Sequence, residues 1–248
     1  MRDTDDFAAP VTIGALTAAV TELVDEVYSS LAEIGAALTI LWDRLTERLG
    51  SAPGASDVAP LRETIADELA RHEKLFNGAG VVLADSVLED RPRHVEWWLP
   101  DVKGGLRRLL LELNPDSEYF YDYTGMDWFV VPRDQGRRWV HGPYLDYACT
   151  DEYVCTFAIP VTSGSGTFLG VAGADVPVTA IEAALLPCFQ AFDQRVVLVN
   201  SEGRVIIGTD PEFTTGSKTS RMDRSVVAVP LEAVPWSLYP LGSASPAR

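Results

Sequence analysis

From Ile13 to Leu49 the apolar positions Ile13, Leu16, Val20, Leu23, Val27, Leu31, Ile34, Leu38, Leu41, Leu45 and Leu49 recur every three or four residues. That is the period of one helical face, and no proline interrupts it after Pro10. The spacing predicts a single helix, about 55 Å long at roughly 1.5 Å per residue. Such a helix is longer than a small domain is wide. Part of it is therefore expected to pack on something besides its own sheet, either a second helix or a second copy of the chain. Residues 50–60 (GSAPGASDVAP) read as a connector, and Leu61, Ile65, Leu69, His72 and Phe76 then repeat at helical spacing. The two stretches predict a helical hairpin over residues 10–79, with the long helix offered for dimerisation. Its repeat drifts off strict heptads near Ser30 and Ala37.

After Asn77-Gly78 the pattern becomes strand-like. Gly80–Val87 and Arg93–Leu99 read as strands, Leu106–Leu113 as a short helical piece ending at Asn114-Pro115, and Tyr119–Val131 as an aromatic-rich stretch. Tyr153–Val161 and Gly166–Val176 flank the turn residues Ser163-Gly164-Ser165-Gly166, a hairpin signal. Pro177 suits the first turn of a helix reaching about Leu186. Val196–Val199 and Val205–Ile207 flank Asn200-Ser201-Glu202-Gly203 as a second hairpin, and Ser225–Val229 with Trp236–Tyr239 are expected to close the sheet. Strands joined by short turns predict an antiparallel sheet with helices segregated to one face, an α+β class. Residues 80–240 are taken as the sheet domain and 241–248 as a flexible tail.

Composition narrows the function. Twenty Lys+Arg against 36 Asp+Glu leave a net charge of −16, which disfavours wrapping a nucleic-acid backbone and weakly favours cationic ligands. Three cysteines (Cys149, Cys155, Cys188) form no full disulfide framework, although a Cys149–Cys155 clip would suit an exported chain. Residues 1–9 (MRDTDDFAA) read as neither signal peptide nor anchor, and no apolar run is long enough to span a bilayer. The expectation is a cytoplasmic protein without nucleic-acid or membrane partners. No Walker loop, GxGxxG, GxSxG, HExxH or EF-hand pattern occurs, so no metal and no cofactor is expected.

The aromatics cluster. Trp97, Trp98, Tyr119, Phe120, Tyr121, Tyr123, Trp128, Phe129, Trp139, Tyr144, Tyr147, Tyr153 and Phe157 are interleaved with Asp122, Asp127, Asp146 and Asp151. Aromatic faces attract cations, and a carboxylate fixes an ammonium by charged hydrogen bonds. This reads either as the wall of a pocket for a small polar ligand or as a thick aromatic core with solvated carboxylates. Asp175 equally suits a helix cap before Pro177. Trp97 and Trp98 are adjacent, so in a strand one points inward and one outward.

The order Trp139-Val-His-Gly-Pro-Tyr144-Leu-Asp146, then VCTFAIPV over 154–161, then Gly170-Val-Ala-Gly-Ala-Asp175-Val resembles the signature of Cache sensor domains, PAS-like ligand-binding modules. The resemblance spans roughly residues 80–240. It implies an antiparallel PAS-like sheet preceded by a long N-terminal helix, and a non-catalytic binding function. In amino-acid-binding members a tyrosine lies five before an arginine and a tryptophan two after it, followed by Tyr-x-Asp and the strand-end aspartate. The matching positions are Tyr121, Trp128, Tyr144, Asp146 and Asp175, with Met126 at the arginine position. The tyrosines and strand-end aspartate hold the ligand's ammonium in that family, and the arginine and tryptophan its carboxylate. A thioether offers no charged fork, unless Arg133, Arg137 or Arg138 reaches in from the following loop.

The resemblance with this substitution implies a small amine or other cationic ligand rather than an α-amino acid, held by Tyr121, Met126, Trp128, Trp139, Tyr144, Asp146 and Asp175. Signal output would pass through a homodimer on the long helix or to a separate regulatory partner. Two alternatives stand beside it. One is an enzyme on a small amine or acid using Asp146, Asp175, His141 or Cys149. The other is an interaction protein with a vestigial pocket.

Overall fold

A computed structural model of the chain describes residues 10–146, 152–223 and 225–242. The periodic stretch forms one 37-residue helix, α1 (Ile13–Leu49). Its apolar stripe is buried from Leu16 to Leu45 apart from the half-buried Leu41, with Val24, Tyr28 and Trp42 joining it, whereas Leu49 is exposed. Each fully buried aliphatic side chain on such a stripe contributes about 1.5–3 kcal/mol. A short 3-10 helix (Ala55–Val58) and α2 (Leu61–Arg71) follow.

The chain divides into two compact units, one of residues up to Val24 with Ile181 onward, the other of Asp25–Ala180. The strands accordingly form two antiparallel sheets where the sequence pattern suggested one. In the larger unit β1 (Gly78–Leu83), β2 (Val95–Pro100), β3 (Leu106–Arg108), β4 (Trp139–Leu145), β5 (Tyr153–Thr162) and β6 (Phe168–Pro177) lie in the order β3-β2-β1-β6-β5-β4. In the other unit β7 (Val196–Asn200), β8 (Val205–Gly208), β9 (Val229–Pro230) and β10 (Trp236–Pro240) lie in the order β8-β7-β10-β9. Hairpin turns fix neighbours along the chain, but a turn pattern does not say which sheet a hairpin joins. The expected tail falls largely at residues 243–248, outside those described.

Two other expectations change. Leu106–Leu113 is not helical: β3 takes Leu106–Arg108, and no helix or strand follows until α3 (Asp127–Gln135). The helix α3 hides among β-favouring residues and carries Pro132, and it ends at Gly136 in the left-handed region (φ 60°). Its burial explains it, because Trp128, Phe129, Val131 and Pro132 are all buried and tertiary packing overrides weak propensity. The helix predicted after Pro177 is α4 (Val178–Gln190).

Side-chain alternation sets the two faces of the six-stranded sheet. One face receives α1 and α2. Gly35 lets α1 approach closely, since a Cβ there would lie 3.3 Å from Val161 and 3.4 Å from Ile159. Tyr28 meets Phe157 edge-on at 5.4 Å. Asp43 of α1 accepts the Gly164 N–H at 3.0 and 3.1 Å, holding the β5–β6 turn. The helix α2 docks through Ser30, whose hydroxyl donates to the buried carboxylate of Glu68 at 2.7 Å. The opposite face carries a cluster of Val82, Val95, Trp97, Leu99, Tyr123, Trp128, Phe129, Ala158 and Val171.

Candidate functional site

That aromatic cluster surrounds a cavity lined by Val82, Val95, Trp97, Leu109, Leu111, Tyr121, Tyr123, Trp128, Tyr144, Asp146, Thr156 and Asp175. Its floor is the middle of the sheet. Asp175 of β6 pairs in register with Thr156 of β5 on one side and with Gly78 of β1 on the other. Two glycines make room for the indole of Trp97: a Cβ at Gly78 would lie 2.7 Å from its Nε1, and one at Gly173 3.2 Å from its ring. The glycines of β1 and of the β6 segment thus let a large aromatic lie flat on the sheet. Trp97, not Trp98, faces the cavity; Trp98 is on the other face, its N–H donating to Glu96 at 2.8 Å.

Tyr144 and Asp146 share a face of β4 and its continuation, beyond an irregularity of pairing between His141 and Tyr144. Thr156 Oγ1 donates to Asp175 Oδ1 at 2.6 Å, and the Tyr144 hydroxyl lies 2.7 Å from Thr156 Oγ1. A threonine hydroxyl has one proton, so with that proton on Asp175 the phenol is the donor to Thr156. Both acids are nearly covered, Asp146 at 5% and Asp175 at 8% exposure. Burial, reinforced by the like charge of Asp146, lifts Asp175 from its ordinary 3.8 to about 7 against the opposing Thr156 hydrogen bond. Burial and the same carboxylates push the Tyr144 phenol well above its ordinary range. Among the described residues, no Lys, Arg or His lines the cavity.

The structure therefore gathers Tyr121, Trp128, Tyr144, Asp146 and Asp175 round one cavity and leaves Met126 and Trp139 out of its lining. Met126 is the N-cap of α3 and is 40% exposed; its backbone carbonyl accepts the first helical N–H groups. Trp139 lies under the guanidinium of Arg137 at 4.5 Å. None of the three following arginines enters the cavity: Arg133 pairs with Asp134, Arg137 covers Trp139, and Arg138 lies over Tyr28 at 4.5 Å. Asp122 is turned to Thr124 and Arg93, and Asp127 is exposed at the first turn of α3. Asp175 does not cap α4, which begins at Val178. Tyr147, Cys149 and Asp151 lie outside the described residues, and with them the Cys149–Cys155 pairing.

Sequence reasoning missed Thr156, Val82, Val95, Leu109 and Leu111; it had Trp97 and Tyr123 in the aromatic set but did not choose between Trp97 and Trp98 or single out Tyr123. Thr156 had a usable signal, as the one polar residue inside the apolar run VCTFAIPV. Tyr123 was legible only as an aromatic; it is fully buried, with its hydroxyl donating to Leu83 O at 2.8 Å. The leucines had none, since they enter from an irregular loop.

A long helix before an antiparallel PAS-like sheet with a cavity on the face opposite that helix is the architecture of Cache-type sensory domains. Solved structures of that kind share this fold. A methyl-accepting chemotaxis protein aligns with a TM-score of 0.65 at 15% identity, covering 91% of this chain and 93% of that one. The periplasmic sensory domain of a Campylobacter jejuni chemoreceptor aligns at 0.61 and 12% identity, covering 91% and 90%. The ligand-binding domain of the Pseudomonas aeruginosa amino-acid chemoreceptor PctC, in complex with GABA, aligns at 0.56 and 15%, covering 91% and 94%. No protein-family model and no curated protein sequence matches the chain. Among the described residues no helix is long and apolar enough to cross a membrane.

Proposed function

We propose that this chain is a non-catalytic sensor domain that binds a small cationic molecule, an amine, in the cavity above β1, β5 and β6. The observation that carries the reading is the charge of the site. Two buried carboxylates stand among aromatic rings with no cationic side chain in the lining among the described residues, and Asp146 repels the charged form of Asp175. An ammonium group suits such a pair, adding an N–H donor for Asp175 and a positive charge that offsets the repulsion and faces the rings of Trp97, Trp128 and the tyrosines. The fold supports a sensing role, since the similar domains belong to chemoreceptors.

Size and polarity limit the ligand. The space open to the centres of water-sized groups is about 40 Å3, room for about three of them at roughly 10–15 Å3 each. A primary ammonium with two or three further heavy atoms fills it, and a longer chain leaves past the half-buried Leu109, Leu111 and Tyr121. A carboxylate on the ligand would meet like charges, Asp146 and Asp175, among the described lining residues. An α-amino acid is accordingly disfavoured, in contrast to the GABA-bound neighbour. Output passes, in this reading, through a second copy on α1 or to a separate regulatory partner. A cytoplasmic setting rests on the composition alone, while the chemoreceptor domain from Campylobacter jejuni is periplasmic.

Isothermal calorimetry of the purified chain against ethylamine, longer monoamines, tetramethylammonium and free amino acids tests it. Saturable binding of primary amines, lost in Asp175→Ala, is expected. Binding of amino acids in preference to amines, or amine binding unaffected by Asp175→Ala, would overturn the reading.

A further inference from the structure

A second site lies on the opposite face of the six-stranded sheet. Between the 3-10 helix, α2 and the β2–β3 edge is an open cleft of about 400 Å3, lined by Ser56, Arg62, Arg91, His94, Glu96, Trp98 and Arg108 among others. Three guanidinium groups thus meet in a chain with only 20 Lys+Arg against 36 Asp+Glu. One carboxylate, Glu96, faces them, and it is buried and fully engaged. Trp98 donates to its Oε1 at 2.8 Å, and Arg108 lies 2.8 Å from its Oε2. Arg108 Nη2 also lies 3.3 Å from Nε2 of the buried His94. The same His94 nitrogen lies 3.3 Å from Glu96 Oε2, so the three side chains form one cluster.

The remaining cations are not neutralised in the same way. Arg62 stacks on Trp98 with its guanidinium carbon 4.7 Å from the ring centre, and among the described residues it forms no ion pair. Stacking holds its plane and leaves its N–H fork directed at solvent partners. Arg91 pairs with Asp90 at 3.2 Å, but Asp90 is also held by the Ala55 N–H at 2.9 Å. A neighbouring cleft of about 530 Å3 shares Arg91, His94 and Arg108; its Arg93 is paired with Asp85 and Asp122, and Asp90 and Glu112 also line it, so the positive charge is concentrated in the first cleft. Ser56 brings a hydroxyl to the rim.

We propose that this cleft binds a small oxyanion carrying two negative charges, a phosphate or phosphate monoester, between Arg62, Arg91 and Arg108. Guanidinium forks match a phosphate's oxygens bidentately. The −16 net charge turns away long polyanions by repulsion and leaves a small anion as the occupant. The site is independent of the amine cavity, being built from residues on the other side of the sheet.

Titration of the whole chain with inorganic phosphate and, separately, glycerol phosphate, each at constant ionic strength, tests the proposal. Tryptophan fluorescence follows Trp98 and calorimetry follows binding. Saturable binding is expected that potassium chloride does not reproduce. Tighter binding of the ester marks a metabolite site and tighter binding of phosphate an inorganic one, each a form of the proposed site. Arg62→Gln combined with Arg91→Gln should weaken binding at least tenfold, since both side chains are exposed and their loss leaves the core intact. Trp98→Phe should remove the fluorescence change, and Asp175→Asn should leave phosphate binding as it was. The proposal is overturned by no saturable signal, by an equal response to chloride, or by wild-type affinity in the folded double variant.

Discussion

Replacing Asp175 by asparagine should make the empty protein more stable at neutral and alkaline pH while removing its amine binding. In the unfolded chain this carboxyl ionises near its ordinary 3.8, and in the folded chain near 7. Between those values the unfolded state has lost a proton that the folded state keeps, so stability falls as pH rises through the window. At about 1.4 kcal/mol per pH unit, the gap amounts to about 4 kcal/mol, lost in full above pH 7. Below pH 4 the group is protonated in both states and contributes nothing to the slope. Asparagine has the same shape, cannot ionise, and still accepts the Thr156 hydrogen bond. Urea unfolding followed by tryptophan fluorescence reads this well, because five of the six tryptophans (Trp42, Trp97, Trp98, Trp128 and Trp139) lie in the unit that holds Asp175. Subtracting wild type from variant cancels the exposed carboxylates Asp90, Asp122, Asp134 and Asp223, whose hydrogen bonds hold them below the ordinary range. The difference should be near zero at pH 4 and rise to about 4 kcal/mol in favour of Asp175→Asn by pH 8. A flat difference across that range would refute the claim that burial holds Asp175 as a strained acid.

Thr156→Val should cost about 1–3 kcal/mol of stability, because it strips a hydrogen bond from two buried groups, Asp175 and Tyr144, at once; an unchanged urea midpoint would show that the two bonds contribute nothing. Gly78→Ala drives a methyl to within 2.7 Å of the Trp97 indole, and overpacking of this kind costs about 1–3 kcal/mol. Amine affinity should fall as the ring shifts into the cavity, and calorimetry with normal affinity would mean the indole does not form its wall. Ser30→Ala should destabilise by about 1–2 kcal/mol by taking a donor from the buried Glu68, with amine binding untouched, since that contact lies on the far face of the sheet.

Helical periodicity by itself determined α1 almost to the residue, because a stripe repeating every three or four positions over 37 residues has one low-energy conformation when one side is buried. The hairpins β5–β6 and β7–β8 were equally legible, since their turns need glycine and small polar residues at fixed places. The motif positions Tyr121, Trp128, Tyr144, Asp146 and Asp175 could be read as a set, and they do line one cavity. Other features were decided only when the chain was packed. The division of strands between two sheets depends on long-range pairing that no local pattern encodes. The helix α3 forms against propensity because its aromatic face is buried, and its start places Met126 at an exposed cap, outside the cavity lining. Asp175 carries its raised pKa because packing buries it and brings Asp146 beside it, against the lowering effect of the Thr156 hydrogen bond. A sequence specifies which groups a site has; burial and proximity, which set their charge, exist only in the folded chain.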